Sequence, residues 1–206
     1  MNPLLTQLDH QIGSFRGCRV LELGGVGGLV SFNHLEEIGS LTVVESSPEI
    51  IAKISDSLTP EQDPFQIRKA DISELAFVGI ESIDICISAF GVASSPDPER
   101  LYRQVSRVLR PSGIFVFALP HPLIGRRVFS DLPTDHSYFE TMLVDTRVLH
   151  LGFDSPPRIN VKVLSRALAE LKKAGMILDH LEEVGVAPDP RERVMPDFFI
   201  LRCKKA

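Results

Sequence analysis

Residues 20–30 read VLELGGVGGLV: an apolar run holding one acid, then four glycines broken by a valine, then apolar residues again. Val20 to Leu23 has the Val and Leu content of a strand buried on both faces. Glycines after such a strand let the backbone approach a ligand closely. A helix that follows them presents unpaired N–H groups and the positive end of its dipole. This is the opening of a doubly wound α/β sheet, whose ligands sit beyond the carboxyl ends of the strands. The dinucleotide spacing G-x-G-x-x-G is met in neither frame, 24–29 or 25–30. Glu22, so close to the turn, would repel a pyrophosphate and attract an ammonium group.

The alternation continues along the chain. Residues 18–24, 40–46, 65–71, 82–90 and 113–120 predict strands. Residues 30–39, 47–58, 97–113 and 160–175 predict helices, with Gly39 and Gly175 at the C-cap positions of the first and last. Two further runs, 176–184 and 197–205, are joined by a proline-bearing loop and predict an antiparallel hairpin. The pattern predicts an α/β fold: a doubly wound, mostly parallel seven-stranded sheet with a C-terminal antiparallel hairpin, in one domain over 1–206. Residues 121–158 break the rhythm and predict a lid or acceptor-binding insertion.

Composition bounds the partners. The 206 residues are 44% hydrophobic and 24% charged, as in a globular domain with a single core. A net charge of −5 argues against nucleic acid or an anionic membrane as the main partner. Arg100, Arg103, Arg107 and Arg110 form a stripe that reads as a solvated helix face. Cys18, Cys86 and Cys203 are widely spaced, with no CxxC, which predicts thiols in a reducing compartment and no metal site. The N-terminal stretch lacks the pattern of a secretory signal, and no apolar run reaches the roughly 18 residues of a membrane span. The expectation is a cytoplasmic protein without a membrane span.

Glu45 ends the second predicted strand, where an acid accepts both hydroxyls of a ribose; nicotinamide-dinucleotide and S-adenosylmethionine (SAM) enzymes share that feature. Several segments, in order and at matching spacings, resemble one family. VLELGGVGG (20–28) is similar to its VLDLGCGTG, VVESSPEII (43–51) to VDxSxxML, RKADISEL (68–75) to DAExLPF, and SIDICISAF (82–90) to FDVVxSxxxL. LYRQVSRVLRPSGIFVFALPHP (101–122) is the nearest match, to LxExxRVLKPGGxFxFSxPHP. LSRALAELKKAGMILDHLEE (164–183) and MPDFFILRCKK (195–205) resemble its tail. The family is the class I SAM-dependent methyltransferases, in particular the small-molecule group typified by quinone-biosynthesis enzymes.

The resemblance implies SAM as cofactor, S-adenosylhomocysteine as product and a small-molecule methyl acceptor as partner. It implies that Glu22, Gly24 and Gly28 lie against the methionine part of SAM, with Gly25 in the same turn. Glu45 would hold the ribose diol and Ser46 the neighbourhood of the adenine. Asp71 would accept from the adenine amino group, Ile72 would offer a backbone N–H, and Ser88 to Phe90 would face the methionine end. Two plainer readings stand beside these: Asp71 with Ser73 as a turn or helix cap, and Ser88 as a small core residue. Val26 stands where the family has its second turn glycine, and few residues precede the first strand. Both departures keep open a catalytically inactive methyltransferase-fold protein that acts in binding or assembly. For catalysis the candidate base is His121, after the fifth strand; a rigid PHP loop is its structural alternative. Phe129, His136 and Tyr138 are the candidate acceptor-pocket residues.

Overall fold

The computed structural model describes residues 3–25, 29–57, 65–123, 139–145, 158–185 and 195–206. Its elements are, in chain order, α1 (Pro3–Ile12), β1 (Arg19–Leu23), a 3₁₀ turn (Ser31–His34), β2 (Ser40–Glu45), α2 (Pro48–Asp56), β3 (Phe65–Lys69) and β4 (Ile83–Ser88). There follow α3 (Gly91–Ser94), α4 (Pro98–Val108), β5 (Leu109–Pro120), β6 (Met142–Asp145), β7 (Arg158–Val161), α5 (Leu164–Lys173), β8 (Met176–Val184) and β9 (Phe198–Lys205). The seven-stranded sheet runs β3-β2-β1-β4-β5-β9-β8. Strands β1 to β5 pair in parallel, while β9 runs antiparallel to both β5 and β8. The Rossmann-like sheet with its antiparallel C-terminal strands is the expected one.

The apolar strand residues divide between two faces. Val20, Val43, Ile85, Ile87, Val116 and Ala118 belong to the core beneath α1. Leu21, Leu23, Val44, Phe115, Phe117 and Leu119 belong to the core shared with α4 and α5. The parallel register then brings β1, β2 and β4 to a common carboxyl edge, with Leu23 opposite Val44 and Glu22 opposite Ile87.

Several elements differ from the sequence expectation. Residues 30–39 hold only the 3₁₀ turn and not an α-helix. Their far end is fastened just before the start of β1, where Gly17 N–H donates to Glu37 O at 2.7 Å and Gly39 N–H to Cys18 O at 2.9 Å. A short segment must therefore span the length of β1, and a 3₁₀ turn rises about 2.0 Å per residue against about 1.5 Å for an α-helix. Helix α4 stops at Val108 because Arg110 precedes Pro111, which disfavours helical backbone. Asn160 and Val161 belong to β7, which pairs with β6 inside the stretch expected to be irregular. Finally α1 was not anticipated, although Leu4, Leu5, Leu8 and Ile12 have helical spacing and are all buried.

The arginine stripe, Arg110 of which falls at the start of β5, is anchored to its neighbours. Arg107 donates to Leu75 O at 2.6 Å and Val78 O at 3.1 Å, Arg100 pairs with Glu74 at 2.6 Å, and Arg110 reaches Asp84 at 2.6 Å. At the start of α4, Asp97 Oδ1 accepts from Arg100 N–H at 2.9 Å. Removing that cap in Asp97→Ala is expected to cost about 1 kcal/mol, a fall of about 2–4 °C in Tm by calorimetry at this chain length. No helix among the described residues is long and apolar enough to cross a membrane.

Candidate functional site

Glu22 lies on β1 and is 1% exposed. One of its carboxylate oxygens accepts from Val30 N–H at 2.7 Å, and the other from Ser31 N–H at 3.1 Å and from the Ser31 hydroxyl. The acid thus caps the 3₁₀ turn, and the leading amides that an open helix terminus would offer to an anion are already taken. Burial pushes the Glu22 carboxyl up to about 7, against the Ser31 hydroxyl and the two amides, which favour the ionised form. Because the folded value lies above the unfolded 4.5, the stability from this group is complete below pH 4.5 and is lost as pH rises through about 7. Glu22→Gln cannot ionise. Thermal melts are therefore expected to show the wild type losing a few degrees relative to this variant between pH 5 and pH 8.

Glu45, 6% exposed, ends β2 and faces the turn after β1. Its Oε1 accepts from Ser46 N–H at 2.7 Å and Ser47 N–H at 2.8 Å, and its Oε2 accepts from Gly25 N–H at 2.8 Å. Gly24, just before, sits at φ +83° in the left-handed region and donates to Val44 O at 2.9 Å. The strand ends β1 and β2 are therefore joined through one buried carboxylate. Ser47 then caps α2, its hydroxyl accepting from Ile50 N–H at 3.4 Å.

At β4, Ser88 is fully buried, and its hydroxyl donates to Leu23 O at 2.9 Å and accepts from Val92 N–H at 3.2 Å. Its side chain ties α3 to β1. Phe90 is buried edge-on against Phe198, at 5.8 Å between ring centroids. Asp71 is exposed, and its Oδ1 accepts from the Ser73 amide and hydroxyl at 2.8 and 2.7 Å, so it closes a turn after β3. Ile72 reaches in from that turn to Gly91, a residue that sequence reasoning missed. A Cβ on Gly91 would lie 2.6 Å from Leu23 O, 2.7 Å from Ser88 Oγ and 3.0 Å from Ile72 Cδ1. The one sequence signal was a glycine directly after the fourth strand, at a helix start.

His121, at the end of β5, is buried with its ring against Phe199 at 4.2 Å. Its backbone N–H donates to Asp197 O at 2.8 Å. Nδ1 accepts from Leu123 N–H at 3.1 Å, which puts the ring proton on Nε2, 3.1 Å from Glu183 Oε1. Both ring nitrogens are engaged, one by the segment after β5 and the other by Glu183 on β8. Gly28, Val26, Phe129, His136 and Tyr138 lie outside the described residues.

Glu22, Gly24, Gly25, Glu45 and Ser46 thus meet around the first two strand ends, with Ser88 and Phe90 at the fourth and Asp71 and Ile72 beside them. A family model for a methyltransferase domain matches residues 21–117, the segment that supplies all of these. The chain is 27% identical over 190 residues to the sterol 24-C-methyltransferase erg6 of Aspergillus fumigatus, a match over 88% of this chain and 46% of that protein. It thus spans less than half the length of that relative. The fold is similar to an S-adenosylmethionine dependent methyltransferase from Mesorhizobium loti, with TM-score 0.77 and 19% identity over 97% of this chain and 96% of that one. It is also similar to the 1,6-didemethyltoxoflavin-N1-methyltransferase of Burkholderia thailandensis, with TM-score 0.64 and 17% identity over 99% and 77% of the two chains. That structure has 1,6-didemethyltoxoflavin and S-adenosylhomocysteine bound.

Proposed function

We propose, from the premise that this chain belongs to the class I SAM-dependent methyltransferase family, that it binds SAM at the carboxyl edge of β1, β2 and β4 and directs methyl transfer to a small organic acceptor. The observation that carries this reading is Glu45: a buried carboxylate at the end of β2, aimed at the glycine turn after β1. A ribose diol needs such an acceptor, and the donor set around it fits an adenosine. Glu45 takes the ribose hydroxyls with Ser46 beside the adenine, Asp71 accepts from the adenine amino group, and the Ile72 N–H faces the ring. Gly24, Gly25 and Gly28 border the methionine part together with Glu22, which meets its ammonium.

Bound SAM supplies an electrophilic methyl group on a sulfonium. The chain's task is to hold the acceptor in line with that methyl and to exclude water. The insertion 121–158, with Phe129, His136 and Tyr138, is assigned to the acceptor. His121 is assigned to positioning, since its Nδ1 lone pair is already spent on Leu123 N–H and its Nε2 proton on Glu183. The same engagement of His121 favours the second reading, a SAM-binding protein without methyl transfer.

Calorimetric titration with SAM, S-adenosylhomocysteine and NADH tests the cofactor. Binding of the first two and not the third is expected. Binding of NADH alone would overturn the assignment. Methyl-labelled SAM, incubated with the protein and a small-molecule cell extract, then separates the two readings. A labelled product supports the enzyme, and SAM recovered bound and intact, without one, supports the binding protein.

A further inference from the structure

Glu45 offers about four lone-pair positions, two on each oxygen. Three are filled by the chain itself: Ser46 and Ser47 N–H on Oε1, and Gly25 N–H on Oε2. A diol that donates two hydrogen bonds finds one position open. Ser46 and Ser47 immediately follow Glu45 and are held by the start of α2, so the amide that can give way is that of Gly25, on a different element. Gly25 is also pressed onto α2. A Cβ at Gly25 would lie 2.4 Å from Ile54 Cδ1 and 3.0 Å from Ile50 Cγ2, so the Gly25 backbone rests directly on these two side chains. Ile54 is buried and Ile50 half-buried.

We propose that Gly25, Glu45 and Ile54 form a self-closing contact over the nucleoside half of the site, and that Ile54, on α2, governs cofactor entry without contacting the cofactor. Glu45 Oε2 accepts from Gly25 N–H in the closed form. For a ribose to bind, Gly25 must leave Ile54 and free that oxygen for both hydroxyls. The apparent affinity is then the intrinsic one reduced by the fraction of chains already open. Ile54 contributes through Cδ1, a single methyl whose packing is worth a factor of about four in the closing equilibrium.

The inference rests on the SAM-binding reading, and two measurements separate their failures. The first is hydrogen exchange of the Gly25 amide in the ligand-free chain. Slow exchange in the wild type, faster in Ile54→Val and in Glu45→Ala, is expected. Exchange that neither variant changes overturns the closed contact. The second is stopped-flow and calorimetric binding of S-adenosylhomocysteine to the wild type and to Ile54→Val. Association about fourfold faster and affinity about fourfold tighter are expected in the variant, in spite of its lower Tm, by the same methyl argument. A residue that merely packs the core would instead leave binding unchanged or weaken it, and that result overturns the gating role. Absence of binding to both chains sinks the cofactor reading and the gating role with it, while the exchange data still report the Gly25–Glu45 contact.

Discussion

Glu45→Ala is expected to lower the affinity for S-adenosylhomocysteine by at least about a hundredfold, measured by calorimetric titration. Two hydroxyl-to-carboxylate hydrogen bonds, each worth about 1.5–3 kcal/mol, are lost with the side chain, and about 1.4 kcal/mol is tenfold in binding. The chain loses its own order at the same point. The amides of Gly25, Ser46 and Ser47 all donate to that carboxylate, and truncation takes the acceptor from all three, leaving the buried Gly25 amide without that partner. Glu45→Gln separates the two effects. Its amide oxygen still accepts from Ser46 and Ser47, so the fold at α2 is retained, while its NH₂ group faces Gly25 N–H and accepts nothing from a diol. The expected order of affinity is wild type, then Glu45→Gln, then Glu45→Ala. Retention of wild-type affinity in both variants would remove Glu45 from the site.

Gly91→Ala is expected to destabilise the fold by about 3 kcal/mol, a fall of roughly 6–12 °C in Tm by calorimetry. The new methyl would meet the Leu23 carbonyl at 2.6 Å and the Ser88 hydroxyl at 2.7 Å. Those two atoms are themselves joined by the hydrogen bond that fastens β4 to β1. Neither is a flexible side-chain end, so α3 must move off the strand. Because Gly91 also meets the turn at Gly24, the movement reaches the cofactor edge, and weaker S-adenosylhomocysteine binding should accompany the lower Tm. A melting temperature within a degree of wild type would show that α3 yields at no cost.

Legibility varied with the range of the interaction. Strands β1, β2 and β4 stand out as Val, Ile and Leu runs because both of their faces are buried. The antiparallel end of the sheet follows from two neighbouring runs with one short connection. Glu45 stands out because it ends the strand that follows the glycine turn, a position where an acid accepts the hydroxyls of a ribose. Residues 30–39 misled because apolar spacing reports which residues are buried, and not whether the chain has length enough to coil. Gly91 escaped notice because its constraint comes from Leu23, Ser88 and Ile72 converging on one point.

The sequence by itself determined the seven-strand α/β layer, its antiparallel C-terminal strands and the meeting of Gly24, Gly25 and Glu45 at one edge. Periodicity and order along the chain encode these directly. The tertiary structure alone decided how those groups spend their hydrogen bonds. It placed Glu22 on Val30 and Ser31, Glu45 on Gly25, and His121 between Leu123 and Glu183. Several of these partners come from distant segments that touch only after the strands have paired. Burial then leaves each polar atom to find its partner among whatever the fold has brought within reach.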